Sequence, residues 1–354
     1  MSASEETSPE SARSTDRAPT PALSVIVPCR NERVAVEGTL RSILTQSLAA
    51  DQFEVIVVDG QSDDGTRDIL RLLQAEFPLL VVLDNPDRIT ATAMNLGIEA
   101  SRGDYVAMLG AHTIYASDYL ESCLALLAEH PEADCVGGPI ESRGRSAFGR
   151  AVAAAMSHPA GVGNARHRFP RFEGFAEGAC FPVFRRHVFE RLGGYDPNLV
   201  RNQDDDINFR LRQSGGRVYI SPRAHSTYFV RESTRELFHQ YYQYGYWRLA
   251  VLRKHGQPAS WRQLVPAVFY LVLMTTCVAS LFAPATWRTV LLLPGVLYLI
   301  MLLGTSLTLW PRVGTRAVFW LPWTIVVMHA AYAAGFTAAL ARRGAASPSS
   351  HPRN

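Results

Sequence analysis

The chain has 354 residues and a net charge of only +3, from 35 Lys and Arg against 32 Asp and Glu. That length allows one large domain with an appendage, or two ordinary domains, and a sizeable core. The near balance of charge gives no reason to expect nucleic acid as a partner.

In chain order, residues 1–21, MSASEETSPESARSTDRAPTP, hold almost nothing to bury, so a disordered tail is expected. The tail lacks the apolar core of a signal peptide, and export of the N-terminal region is not expected. SVIVPCR (24–30) and FEVIVVDG (53–60) are β-branched apolar runs, and RVAVEGTLRSILTQSL between them carries apolar residues at helical spacing. This is a βαβ unit, in which ligands gather at the carboxyl ends of the strands. LLVVLDN (79–85) and GDYVAML (103–109), separated by a helix around TATAMNLGIEAS, continue the alternation. The expected fold is α/β with a mainly parallel, Rossmann-like sheet.

Chemistry is therefore sought at strand ends. The first strand delivers Pro28, Cys29, Arg30, Asn31 and Glu32. The second delivers Asp59 and then GQSDDGT, in which residues 62–64 can cap a helix beginning near Thr66. Asp64 is as readily a plain cap as a ligand contact. A carboxylate such as Asp59, ending a buried strand, needs a donor, and a base or ribose would supply one.

Farther along, NLVRNQDDDINFRLRQSGG sets Asp204, Asp205 and Asp206 before a short helix, INFRLRQSGG. Neighbouring carboxylates hold their protons more tightly, which moves a base toward usable strength near neutrality. The plain alternative is a solvated helix N-terminus, where the helix dipole offsets part of the repulsion. QYYQYGYWR (240–248) follows, and its Tyr and Trp suit the headgroup level of a membrane.

Three apolar stretches close the chain: 264–284, 289–310 and 317–340. Each is long enough to cross a hydrocarbon layer of roughly 30 Å, and none contains Asp, Glu, Lys or Arg. Three transmembrane helices are expected, with buried helices of a soluble core as the alternative. Pro266, Pro294 and Pro322 would bend them, and His329 is given no role. Arg248, Arg253, Lys254 and Arg262 precede the first span, and Arg312 and Arg316 lie between the second and third. Only Arg288 lies between the first two, so the large domain is expected in the cytoplasm. Arg342 and Arg343 then fall on the wrong side. Cys29, Cys123, Cys135, Cys180 and Cys277 are odd in number and scattered, which suggests neither a disulfide framework nor a zinc site and fits a reducing compartment.

SVIVPCRNE, VIVVDGQSDDGT, RITATAMNLGI, GDYVAMLGAH, GGYDPNLVRNQDDDINFRLR and QYYQYGYWR, in that order, resemble a family 2 glycosyltransferase of the GT-A fold. Within it the chain is similar to membrane-bound glucosyltransferases of succinoglycan-type exopolysaccharide assembly, a likeness that continues through KHGQPASWRQLVP. The resemblance implies a tail at 1–21, a GT-A domain at 22–262, about three transmembrane helices at 263–341 and a second tail at 342–354. It implies multi-pass residence in the cell membrane and an inverting transfer from a nucleotide diphosphate sugar, with UDP-glucose the expected donor, to a lipid-linked glycan. A polyprenyl phosphate acceptor and an inactive sugar-nucleotide-binding subunit are the alternatives.

The resemblance also assigns residues. The family's Glu-Asp pair falls on Gln203 and Asp204, which makes Asp204 the expected base toward the acceptor hydroxyl. Pro28, Arg30, Asn31, Glu32, Asp59, Arg88, Asn95, Gly110 and Ala111 would contact the nucleotide sugar. Asp205, Asp206, Gln240, Gln243 and Trp247 would line the acceptor side, although the Gln-x-x-Arg-Trp motif of polymerising relatives is not intact and one sugar per acceptor is expected. The family's Asp-x-Asp or Asp-x-His reads Gly110, Ala111 and His112. Three explanations stay open: His112 holds Mg or Mn with diphosphate oxygens and water, cations such as Arg88 carry the leaving-group charge, or the domain only binds.

Overall fold

The computed structural model describes residues 20–258 and 261–342, with the side chain of Arg262 left out. Most of the expected N-terminal tail, the C-terminal tail from residue 343 and the side chains of Arg262 and Arg343 therefore lie outside the described residues.

Eleven strands form two sheets among the described residues. They are β1 (Leu23–Cys29), β2 (Phe53–Asp59), β3 (Leu80–Asp84), β4 (Tyr105–Met108), β5 (Thr113–Tyr115), β6 (Cys135–Gly138), β7 (Ile140–Arg143), β8 (Gly174–Ala176), β9 (Cys180–Arg185), β10 (Val218–Ile220) and β11 (Ser226–Phe229). The main sheet runs β3-β2-β1-β4-β9-β6-β10-β8, and β5-β11-β7 form a second one. The strands β3, β2, β1 and β4 are parallel, whereas β9 is antiparallel to both β4 and β6. Helices on both faces explain why β1 and β2 are nearly continuous apolar runs. Val25 and Val27 enter one core with Leu40 and Ile43, while Ile26 enters the opposite core with Val58, Met108 and Phe184.

The helices Val36–Leu44, Thr66–Glu76 and Thr90–Ala100 stand where the apolar spacing puts them. The helix after the three carboxylates does not. It spans Gln203–Gln213, so Asp204, Asp205 and Asp206 make up its first turn instead of preceding it. Asn202, in the left-handed region at φ 60°, turns the chain, and its carbonyl accepts from Asp206 N. Favourable charge at a helix N-terminus lets the helix begin early.

QYYQYGYWR lies within one charged helix, Thr234–His255. Three long apolar helices follow, Val265–Phe282, Ala285–Val313 and Leu321–Ala341, each long and apolar enough to cross a membrane. They are consistent with a multi-pass membrane anchor. A third core, including Met156, Leu237, Leu302 and Met328, joins the second and third of them to the α/β domain.

Candidate active site

A cavity of about 2550 Å³ opens at the carboxyl edge of the main sheet. Its wall includes Pro28 near the end of β1 and Arg30 just after it, Arg88 after β3, and Gly110 and His112 after β4. It continues past Asp204 to Phe269, Met301 and Met328 on the apolar helices.

The loops at the strand ends are fastened to each other. Asn31, itself left-handed at φ 54°, donates Nδ2 to Asp63 Oδ1 at 2.9 Å and accepts from Asp63 N at 3.0 Å. Asp64 accepts from Thr66 N at 3.0 Å and from Arg33 N at 3.1 Å, so it caps the following helix. Two residues expected at the nucleotide are turned away from the cavity wall. Asp59 accepts from Ser62 Oγ at 2.5 Å and from Arg67 Nε at 2.6 Å. Asn95 is engaged on both sides by the Tyr195 backbone, at 2.7 and 2.8 Å. Arg88 lines the cavity with its guanidinium donating to Gln61 Oε1 at 2.8 Å.

At Gly110 the space is already taken. A Cβ there would come within 2.8 Å of the Phe181 ring, which occupies the space a carboxylate at this position would need. Beside it, His112 Nδ1 lies 3.1 Å from Glu32 Oε1. With Nδ1 donating to Glu32, Nε2 is left as an acceptor, an arrangement common at metal-binding histidines. Among the described residues no third His, Cys, Asp or Glu completes a protein-only cluster with this pair. The pair therefore fits a cation only where ligand oxygens and water fill the remaining positions.

The three consecutive carboxylates have three different surroundings. Asp204 opens onto the cavity, but protein encloses it at longer range. Burial first, and the Asp205 charge second, push its carboxyl up to about 6, with Arg248 opposing. Asp205 is paired with Arg248 Nη1 at 2.8 Å and accepts from Gln263 at 3.4 Å. Asp206 is fully buried away from the cavity wall, within 3.0 Å of Arg210, 2.9 Å of Lys254 and 2.7 Å of His255. Burial alone would raise its carboxyl, but Lys254 and His255 pull it below the ordinary carboxylate range. Asp205 therefore lines the cavity, whereas Asp206 is saturated by its neighbours away from the cavity wall.

On the membrane side, Gln240 donates to Tyr228 Oη at 3.0 Å, while its Oε1 is buried without a partner. Gln243 accepts from Trp247 Nε1 at 3.1 Å, and Trp247 stands behind the cavity wall. The buried Oε1 of Gln203 and Oδ1 of Asn208 are also without partners. Sequence reasoning missed Arg168. It lines the cavity, its buried Nη1 has no partner, and Cys180, Tyr241, Tyr244 and Tyr228 stand near it. A run of basic residues, ARHRFPR (165–171), was the available signal.

A ligand cleft at the carboxyl edge of a GT-A-like sheet, continuous with apolar helices, is the architecture of a membrane-anchored glycosyltransferase that draws on a nucleotide-sugar donor. The chain belongs to glycosyl transferase family 2, whose sequence model matches residues 24–193. It is 32% identical over 317 residues to the succinoglycan biosynthesis protein ExoA of Rhizobium meliloti, covering 88% of this chain and 93% of that one. It is 24% identical to a dolichyl N-acetyl-α-D-glucosaminyl phosphate 3-β-D-2,3-diacetamido-2,3-dideoxy-β-D-glucuronosyltransferase of Methanococcus voltae, covering 73% and 82%. Among solved structures, the mannosyltransferase PcManGT of Pyrobaculum calidifontis, in complex with GDP-Man and Mn2+, shares the fold. Its TM-score is 0.60 at 21% identity, over 91% of this chain and 88% of that one.

Proposed function

We propose that the protein is an inverting transferase that moves one sugar, expected to be glucose from UDP-glucose, onto a lipid-linked glycan. The observation that supports this most is the continuity of the cavity from Arg88 and Gly110 at the strand ends, past Asp204, to Phe269 and Met328 on the apolar helices. A nucleotide at the first end and a lipid at the other would bring the anomeric carbon and the attacking hydroxyl together beside Asp204. The hydroxyl oxygen bonds to the anomeric carbon, the bond to the diphosphate oxygen breaks, and Asp204 takes the hydroxyl proton. A carboxyl pushed up to about 6 is ionised at neutral pH and still a better proton acceptor than an ordinary aspartate.

The unpartnered acceptor atoms of Gln203, Asn208 and Gln240 suit the hydroxyl groups of a sugar, and the unpartnered Nη1 of Arg168 suits a phosphate oxygen. Mg or Mn remains part of the proposal, held by His112 with Glu32 behind it. When bound, such an ion offsets charge on the departing diphosphate. The catalytic domain is proposed to face the cytoplasm, where nucleotide sugars are made, and the chain to reside in the cell membrane.

The test is turnover of UDP-glucose by purified protein in nanodiscs with two acceptors, a polyprenyl diphosphate sugar and a bare polyprenyl phosphate. Product on the diphosphate sugar alone supports the proposal. Product on the bare phosphate alone supports the alternative acceptor, and nucleotide binding without UDP release from any acceptor indicates a binding subunit.

A further inference from the structure

The third apolar helix, Leu321–Ala341, packs against the catalytic domain far more extensively than the first two do. It runs beside the charged helix Thr234–His255 along its length. Near one end Trp323 Nε1 donates to Thr234 Oγ1 at 3.1 Å. In the middle the backbones nearly touch: a Cβ on Gly245 would lie 2.0 Å from Tyr332 O, and one on Gly335 would lie 2.0 Å from Tyr242 O. At the other end Arg253 donates to Ala339 O at 3.2 Å and Arg342 to Tyr246 Oη at 3.3 Å. Residue numbers rise together on both helices, so the two are parallel neighbours with little difference in depth.

The charged helix is fixed to the catalytic domain throughout. Gln240 binds Tyr228 of β11, Asn202 donates to Tyr244 O, Arg248 pairs with Asp205, and Lys254 and His255 pair with Asp206. It also carries Arg235, Glu236 and His239 near its start. Such a helix cannot lie across the hydrocarbon core, where ionisable side chains are strongly disfavoured. A helix in contact with it from end to end cannot cross there either.

The first two apolar helices behave otherwise. They form a hairpin, with Tyr270 close to Tyr298 at 3.3 Å, and expose Leu271, Val278, Leu281, Val290 and Leu293. The hairpin rests on the third helix near its middle, through Tyr270 to Val326 O at 3.3 Å and Tyr298 to His329 at 3.0 Å. Exposed positions on the third helix include Trp323, Ala334 and Thr337, which share one face at helical spacing, and Phe319 and Trp320 are exposed just before it.

We infer that helix Leu321–Ala341 lies flat in the membrane interface beside Thr234–His255, with both of its ends on the catalytic domain's side. Its partner is the headgroup layer of the leaflet on that side, met by Trp320 and Trp323 and by the exposed cations Arg312 and Arg316. The flat placement also removes a conflict in the flanking charges. A third span would send Arg342 to the side opposite Arg312 and Arg316. A flat helix keeps all three together and leaves Arg288 of the hairpin loop alone across the membrane, the asymmetry expected of cytoplasmic loops.

The test labels both ends of this helix in the full-length protein, independently of any transfer reaction. Arg316→Cys and Arg342→Cys are treated with a membrane-impermeant maleimide in right-side-out and inverted vesicles, with Val34→Cys, 97% exposed on the catalytic domain, as the reference. Wild type, in which Cys29, Cys123 and Cys135 are buried, gives the background. Both ends are expected to react in the same vesicle orientation as Val34→Cys. Reaction of Arg316→Cys and Arg342→Cys in opposite orientations would overturn the inference.

Discussion

The two ends of the cavity differ in how much of their chemistry is already spent. At the strand ends, Asn31 is held by Asp63 and Arg88 by Gln61, and behind that wall Asp59 is held by Arg67 and Asn95 by Tyr195. At the acceptor end, buried polar atoms of Gln203, Asn208, Gln240 and Arg168 have no partner. An unsatisfied buried polar group costs about 1–3 kcal/mol, so the second end has polar atoms still open to a ligand or water, whereas the side chains of the first are already engaged. The carboxylates repeat the contrast within one helical turn. Asp206 is saturated, Asp205 is paired once, and Asp204 has the cavity in front of it.

The saturated group should show the largest effect on folding. Asp206→Ala leaves Arg210 and His255 without this counter-charge and Lys254 with Asp196 alone, and is expected to cost about 3 kcal/mol, read as a fall in unfolding midpoint. If the variant unfolds like wild type, the contrast between Asp206 and Asp204 breaks. Gly335→Leu should cost about 1–3 kcal/mol, because its side chain must force the backbone of Tyr242 away, and the loss should be visible in thermal stability in nanodiscs.

A pH series sharpens the comparison between Asp204 and Asp205. Ionised Asp204 is the active form, so turnover should fall as pH drops through about 6. Asp205→Asn removes a charge that raises the Asp204 carboxyl and releases Arg248, which opposes it, so both changes move the inflection to lower pH. An inflection that stays in place or rises would contradict the coupling. Stability has the opposite sign. A carboxyl raised in the folded state contributes stability that is lost as pH rises through its folded value, so Asp204→Asn should melt higher than wild type above about pH 6 and converge with it in acid. The smallest effect belongs to the occupied end: Arg88→Ala, already shared with Gln61, should weaken UDP binding about fivefold, or ~1 kcal/mol, by calorimetry.

These contrasts also mark what the sequence makes readable. The strands β1 to β4 follow from β-branched runs bounded by turn residues, because local pattern and burial on two faces agree there. Their ends direct attention to Arg30, Arg88 and His112, which line the cavity. The order of motifs is enough to recognise the family, and Asp204 stands at the cavity wall where that resemblance expects the base. Asn95 was misread because its partner, Tyr195, is 100 residues away. Asp206 was misread for the same kind of reason, since Lys254 and His255 come from another helix. The first turn of its own helix was missed because Asn202 adopts a left-handed conformation that local pattern does not announce. Length and apolarity identify the three C-terminal helices, but they do not reveal that one lies against a charged neighbour. That contact depends on Gly245 and Gly335, ninety residues apart.

The most direct measurement is turnover of Asp204→Asn beside its affinity for the nucleotide. The substitution keeps the shape and removes the proton acceptor, so a loss of roughly 10²–10⁴ in kcat with unchanged UDP binding is predicted. A variant that turns over like wild type, while binding UDP equally well, would contradict the assignment of the acceptor's proton to this carboxylate.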